Sequence, residues 1–207
     1  DVNFRAVPPV ISEDRKSFWG DWKIEFKLVT MDVHAQYRSN IEDLRRRAIS
    51  VGKGGSTKFK IDLSNHEYCD DRLKHDFEGY SVFVYSPGML VCEKIRAICQ
   101  QMPEYADEVQ SHSSARARDF LDIHTVAEHF SIDFECDKFH DLLRKTFDAK
   151  KVPLHLVGCI QQFRDFHASD FVSVKDTVKP GVDLNEFDFY FEYLVEKCKL
   201  LETLWNK

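Results

Sequence analysis

SPGMLVCEKIRAICQQMP, residues 86–103, is where the chain changes texture. Ser86 offers a helix N-cap, and Pro87 suits the first turn, where its missing N–H has no intrahelical partner to lose. Beyond them the apolar residues recur at helical period. Val91, Ile95 and Ile98 form one stripe, with Leu90, Lys94 and Ala97 beside it. Pro103 closes the segment, because a proline inside a helix removes a hydrogen bond and clashes with the turn before it.

Upstream, the period is two. DWKIEFKLVT (21–30) sets Ile24, Phe26 and Leu28 against Lys23, Glu25 and Lys27. FKIDLS (59–64) sets Phe59, Ile61 and Leu63 against Lys60, Asp62 and Ser64, and YSVFVYS (80–86) reads as a third, more apolar strand. One helix, NIEDLRRRAI (40–49), and a glycine-rich loop, VGKGGST (51–57), lie between them. Downstream, the chain predicts helices over ARARDFLDIHTVAEHF (115–130, capped by Ser113 or Ser114), 139–150, 154–166 and 184–205. The expectation is an α+β fold, with a strand-rich part over 1–85 and a helical part over 86–207.

The 207 residues suffice for a sizeable core. The formal net charge of −6 excludes a global basic field, so any nucleic-acid contact needs a local patch. Arg45-Arg46-Arg47 with Lys58 and Lys60 is such a concentration, and it reads equally as a solvated face. The six cysteines form no C-x-x-C pair and no zinc spacing, and free thiols in a chain of this size point to a reducing, cytoplasmic setting. Cys92 and Cys99 share a helix face as small core residues. No apolar run approaches the ~18 residues that a membrane span needs.

Four groups of residues bear on chemistry. Asp62 stands on a strand between Ile61 and Leu63, where a carboxylate either faces solvent or projects into a cleft to hold a divalent metal or take a proton. Lys94 sits among Leu90, Val91, Ala97 and Ile98, so it must snorkel, find a counter-charge or meet a ligand such as a triphosphate. In ARARDFLDIH (115–124), Asp119 and Asp122 are three apart and Arg118 and Asp122 four apart, which puts them on one helix face. Local ion pairs explain that face, and so does one wall of a phosphate site. Gly52-Lys53-Gly54-Gly55-Ser56 lacks phosphate-loop spacing and precedes a strand, so no helix N-terminus is available to a phosphate. His75-Asp76 and His140-Asp141 lack the further His and Asp that a metal phosphohydrolase requires.

Taken together, the strand aspartate of FKIDL, the lysine helix after Ser86-Pro87 and the pattern Arg116-x-Arg118-Asp119-x-x-Asp122-Ile123 resemble the AbiEii/AbiGii nucleotidyltransferase toxins of type IV toxin–antitoxin systems. The resemblance runs over about residues 20–150 and more loosely to the end. It implies a nucleotidyltransferase-like mixed sheet around Mg²⁺ and a nucleoside triphosphate, closed by a helical part. It also implies an RNA acceptor such as tRNA, and a cognate antitoxin. On that footing Asp62 is a metal ligand or general base, Lys94 contacts the triphosphate, Arg116 or Arg118 supports it, and Asp119 and Asp122 position the lysine or a metal.

One family motif is missing. A Gly-Gly-Ser/Thr turn followed by Asp-x-Asp belongs upstream of the strand aspartate. The acidic doublets Glu13-Asp14, Glu42-Asp43 and Asp70-Asp71 do not lie on a predicted strand. Gly54-Gly55-Ser56 matches the turn in composition but directly precedes the Asp62 strand. The chain opens at Asp1 in mid-pattern, and the expectation is that the motif lies before it. The competing reading is a non-catalytic module that keeps the fold and binds RNA or protein through the arginine-rich helix.

Overall fold

The computed structural model describes residues 2–7, 10–50, 55–109, 111–179 and 181–206. The chain forms two compact units, residues 1–66 and 67–207.

The first unit carries β1 (Val2–Val7), β2 (Asp21–Phe26), α1 (Met31–Tyr37), α2 (Ile41–Arg46) and β3 (Phe59–Ser64). The strands pair antiparallel in the order β1-β2-β3. Register follows the hydrophobic alternation. Phe4, Ile24 and Ile61 lie side by side on one face, as do Ala6, Trp22 and Leu63. Arg5, Lys23 and Asp62 lie side by side on the other. Phe4 stacks flat on Trp22, with ring centroids 4.6 Å apart. The two short helices start on side-chain caps. Thr30 accepts from the Val33 N–H, and Asn40 from the N–H groups of Glu42 and Asp43. Strand β2 stops at Phe26, short of the expected 30, because the chain turns there toward the Thr30 cap. Residues 51–54 of the glycine-rich loop lie outside the described residues.

The second unit opens with a hairpin, β4 (Leu73–Phe77) and β5 (Tyr80–Val84). The strands expected from the sequence include β5 but not its partner, although Leu73, His75 and Phe77 alternate there with Lys74 and Asp76. Glu78 and Gly79 make the turn, both with positive φ (51° and 84°). That is the pairing a two-residue hairpin needs, and glycine adopts it without a Cβ penalty.

Helices then follow: α3 (Pro87–Cys99), α4 (Pro103–Val109), α5 (Ala117–Phe130), α6 (Asp137–Ala149), α7 (Leu156–Cys159), α8 (Arg164–Ala168), α9 (Phe171–Lys175) and α10 (Phe187–Lys199). Ser86 caps α3 as expected, its Oγ accepting from the Met89 N–H at 3.3 Å. The α+β class is therefore what the chain adopts. Helix α3 lies against α5 and α6, and α10 packs on α5. Ile95, Ile98, Cys92 and Cys99 from α3, Phe120 and Ile123 from α5, Leu143 from α6 and Leu194 from α10 are fully buried. Phe120 meets Phe187 and Phe191 at 5.3 and 5.5 Å.

Two long helices expected from the sequence are shorter pieces. Residues 154–166 break into α7, a 3₁₀ turn over Ile160–Phe163, and α8. Gly158 lies within α7, where a Cβ would stand 3.3 Å from the Trp205 indole nitrogen. The last helix runs only from Phe187 to Lys199 before a 3₁₀ turn at Glu202–Leu204, which buries Leu201 and Leu204.

Helix α3 also buries charge. Arg96 is 6% exposed. Its Nε donates to Glu93 Oε2 at 3.0 Å, its Nη1 to Gln100 at 2.6 Å, and its Nη2 reaches Glu67 at 3.5 Å. Lys150, at the end of α6, pairs with the other Glu67 oxygen at 3.4 Å. Burial pushes the Glu93 carboxyl up to about 7, with nearby Glu67 adding to the rise and Arg96 opposing it. Glu93 Oε1 is buried without a hydrogen-bond partner. A raised carboxyl binds its proton more tightly folded than unfolded. Its contribution to stability is therefore full below about pH 4.5 and is lost as pH rises through about 7. Glu93→Gln is thus expected to gain stability relative to the parent between pH 5 and pH 8. Urea melts at the two pH values check this; an unchanged difference refutes it.

Candidate active site

Helices α3 and α5 bring the predicted charges together. Lys94 lies on the half-buried flank of α3, beside the fully buried stripe of Val91, Ile95 and Ile98. Asp119 falls in the first turn of α5 and Asp122 one turn on. The Lys94 amine spans both carboxylates, at 2.9 Å from Asp119 Oδ1 and 2.8 Å from Asp122 Oδ2. Residues 25 and 28 positions away in sequence thereby become one charged cluster.

The arginines complete it. Arg118 Nε donates to Asp122 Oδ1 at 2.8 Å, and its Nη1 donates to Thr177 Oγ1 at 2.8 Å. Arg116 Nη1 stands 3.6 Å from Asp119 Oδ2. Three cations and two carboxylates leave the cluster with a formal charge of +1. The lysine and Asp119 are mostly covered, with side chains 18% and 11% exposed, whereas both arginines reach solvent. Burial alone would lower the Lys94 ammonium. Hydrogen bonds to Asp122 and Asp119 outweigh it and hold the amine above its ordinary value, so it is charged throughout the neutral range.

Helix α5 differs from the expectation at its start. Neither Ser113 nor Ser114 caps it; the helix begins at Ala117 with Arg116 in the cap position and no side-chain cap bond. Ser114 instead donates its N–H to the Gln101 side chain at 2.9 Å. Two contacts of the cluster, Thr177 and His167, were missed by sequence reasoning. They lie 59 and 51 residues from their partners, and no local spacing announces them.

Asp62 belongs to the other unit, on the polar face of β3. Its carboxylate, 71% exposed, pairs across the strands with Lys23 at 3.3 Å. Among the described residues, no group of three or more His, Cys, Asp or Glu side chains is arranged to hold a metal ion. Three acidic doublets lie off the strands: Glu13-Asp14 in a turn, Glu42-Asp43 in α2 and Asp70-Asp71 in a turn before β4. All six cysteines are free. No described helix is long and apolar enough to cross a membrane.

A lysine clamped between two aspartates, with an arginine paired to each, gathers donors of the kind that can meet phosphate oxygens. The family model for the AbiEii nucleotidyl transferase toxin of type IV toxin–antitoxin systems matches residues 14–193. The chain belongs to that family, whose general activity is nucleotidyl transfer. No curated protein and no solved structure matches the chain.

Proposed function

We propose that the chain transfers a nucleotide from a nucleoside triphosphate to an RNA acceptor, tRNA being the acceptor the family resemblance implies. The acceptor hydroxyl oxygen attacks the α-phosphorus, the bond to the bridging oxygen breaks, and pyrophosphate leaves with the electron pair. The observation that carries this reading is the Lys94 amine held by Asp119 and Asp122 at 2.9 and 2.8 Å. An ammonium has three donors. Two are committed to the aspartates, which fix its position, and the third is left to meet a triphosphate oxygen. Arg116 and Arg118, braced on Asp119 and Asp122, supply further positive charge where the leaving group becomes more negative.

Asp62 is the candidate general base for the acceptor hydroxyl. It is also the strand carboxylate that the resemblance assigns to Mg²⁺. No metal-holding group is formed among the described residues, so Mg²⁺ would be held by Asp62 together with the triphosphate it arrives with. When bound, Mg²⁺ neutralises phosphate charge. The cognate antitoxin and a cytoplasmic setting, which the free thiols suit, belong to the same proposal.

A second reading, a binding module without turnover, is favoured by the lack of a metal-holding group among the described residues and by the Lys23 pairing that occupies Asp62. The two separate in one assay. The chain is incubated with each α-³²P nucleoside triphosphate and bulk tRNA, with Mg²⁺ or with chelator. Label entering the RNA only with Mg²⁺, and falling about 10²-fold or more in Asp62→Asn, supports transfer. RNA retention without label, unaffected by Asp62→Asn and weakening with salt as phosphate contacts do, supports the module.

A further inference from the structure

The N-terminus of α5 is held from outside its own sequence. Its cap residue, Arg116, makes no side-chain cap bond. The Arg116 N–H donates instead to Nδ1 of His167, in α8, at 3.1 Å. His167 is fully buried. Its ring packs against Phe120 at 5.2 Å and Phe166 at 4.9 Å, so its orientation is set by aromatic neighbours on both elements.

An imidazole whose Nδ1 accepts must be neutral and must carry its proton on Nε2. Burial, with Arg116 nearby, lowers His167 to about 4, which keeps it in that form at neutral pH. Nε2 itself has no partner. A buried donor left unpaired is unfavourable.

We infer that His167 is a positioning residue for nucleotidyl transfer: its Nδ1 anchors the first turn of α5 and thereby sets Asp119 against Lys94. This deepens the transfer reading above and rests on it. The chain of contacts is short. His167 fixes the Arg116 backbone, Asp119 follows three residues on with its N–H bonded to the Arg116 carbonyl at 2.9 Å, and Asp119 takes the Lys94 amine at 2.9 Å. A small displacement of that turn moves one of the two carboxylates that aim the lysine. Misplacements of about 1 Å in such a site cost on the order of 10²-fold in rate.

The test compares the intact chain with His167→Asn and His167→Phe. Asparagine places Oδ1 where the imidazole has Nδ1; phenylalanine fills the space without an acceptor. Two quantities are read on folded protein: kcat and KM for labelled transfer, and the rate at which acetic anhydride modifies Lys94, followed by mass spectrometry. His167→Asn is expected to stay within about 3-fold of the parent in both. His167→Phe is expected to lose about 10–100-fold in kcat with a smaller change in KM, and to acetylate at Lys94 several-fold faster. Parent-like kcat and Lys94 protection in a folded His167→Phe protein overturn the inference, as does an asparagine variant no better than phenylalanine.

If His167→Phe does not fold, ¹⁵N spectra of the parent decide. A protonated Nδ1 overturns the inference, and a bare Nδ1 with protonated Nε2 upholds it. A parent without transfer activity whose Lys94 protection still follows the acceptor at position 167 sinks the transfer reading and upholds the anchoring of Asp119.

Discussion

Replacing Lys94 by methionine lowers nucleotidyl transfer by about 10²–10³-fold and leaves the chain folded. Methionine keeps the length and apolar contacts of the stem on the α3 flank and removes only the ammonium. Both aspartates keep a cation: Asp119 has Arg116 at 3.6 Å and Asp122 has Arg118 at 2.8 Å. The stability lost is that of partly unsatisfied, half-covered acceptors, about 1–2 kcal/mol. The rate loss is larger, because the ammonium is the cation best placed to meet charge that grows as pyrophosphate leaves. Single-turnover transfer and a urea melt on the same preparation measure the two. A folded variant with parental rate removes Lys94 from the chemistry. A variant that unfolds assigns the cluster to structure.

Arg96→Met produces the largest loss of stability, about 3–5 kcal/mol, seen as a fall of about 10 °C in Tm. Two carboxylates depend on Arg96. Glu93 and Glu67 both lie within 3.5 Å of it, in a region where its own side chain is 8% exposed. Removing the guanidinium takes from Glu93 its Arg96 donor, while Glu67 keeps its pair with Lys150. Glu93, already raised to about 7 beside Arg96, then takes up a proton, and the cost comes from buried carboxyl groups that have lost their donor. Adding Glu93→Leu to Arg96→Met is therefore expected to recover a large part of the loss. Thermal melts of the single and double variants decide it, and a double variant as unstable as the single refutes the account.

These two basic residues are two positions apart on one helix and do different work. Lys94 lies on the half-covered flank, where its amine reaches a second helix and solvent. Arg96 points into the region shared by Glu67, Gln100 and Lys150. Position around the helix, at about 100° per residue, separates a candidate substrate contact from an internal tie.

The elements most readable from the sequence carry their own period or cap. Strand β3 alternates, and the start of α3 is marked by Ser86 and Pro87; both stand where expected because side-chain alternation and capping act over a few residues. Strand β4 alternates too but was not expected; its pairing with β5 depends on a turn whose residues are Glu78 and Gly79 and on charges tolerated on an exposed ribbon. The breaks in 154–166 and after Lys199 were not legible either. They follow from Trp205 meeting Gly158 and from the burial of Leu201 and Leu204, contacts that cross tens of residues or depend on packing.

The same boundary runs through the site. Sequence alone determined that Asp119, Asp122 and Arg118 share a face of α5, because spacings of three and four return a side chain to the same side of a helix. It also narrowed Lys94 to snorkelling, pairing or meeting a ligand, because its neighbours Leu90, Val91, Ala97 and Ile98 are apolar. Only the tertiary structure decided that the partners are those two aspartates, that Thr177 steadies Arg118, and that His167 anchors the turn before Asp119. Those pairings join segments 25 to 59 residues apart. They exist because α3, α5 and α8–α9 are packed around a common apolar core, and the geometry of that packing is a property of the whole chain that no local spacing encodes.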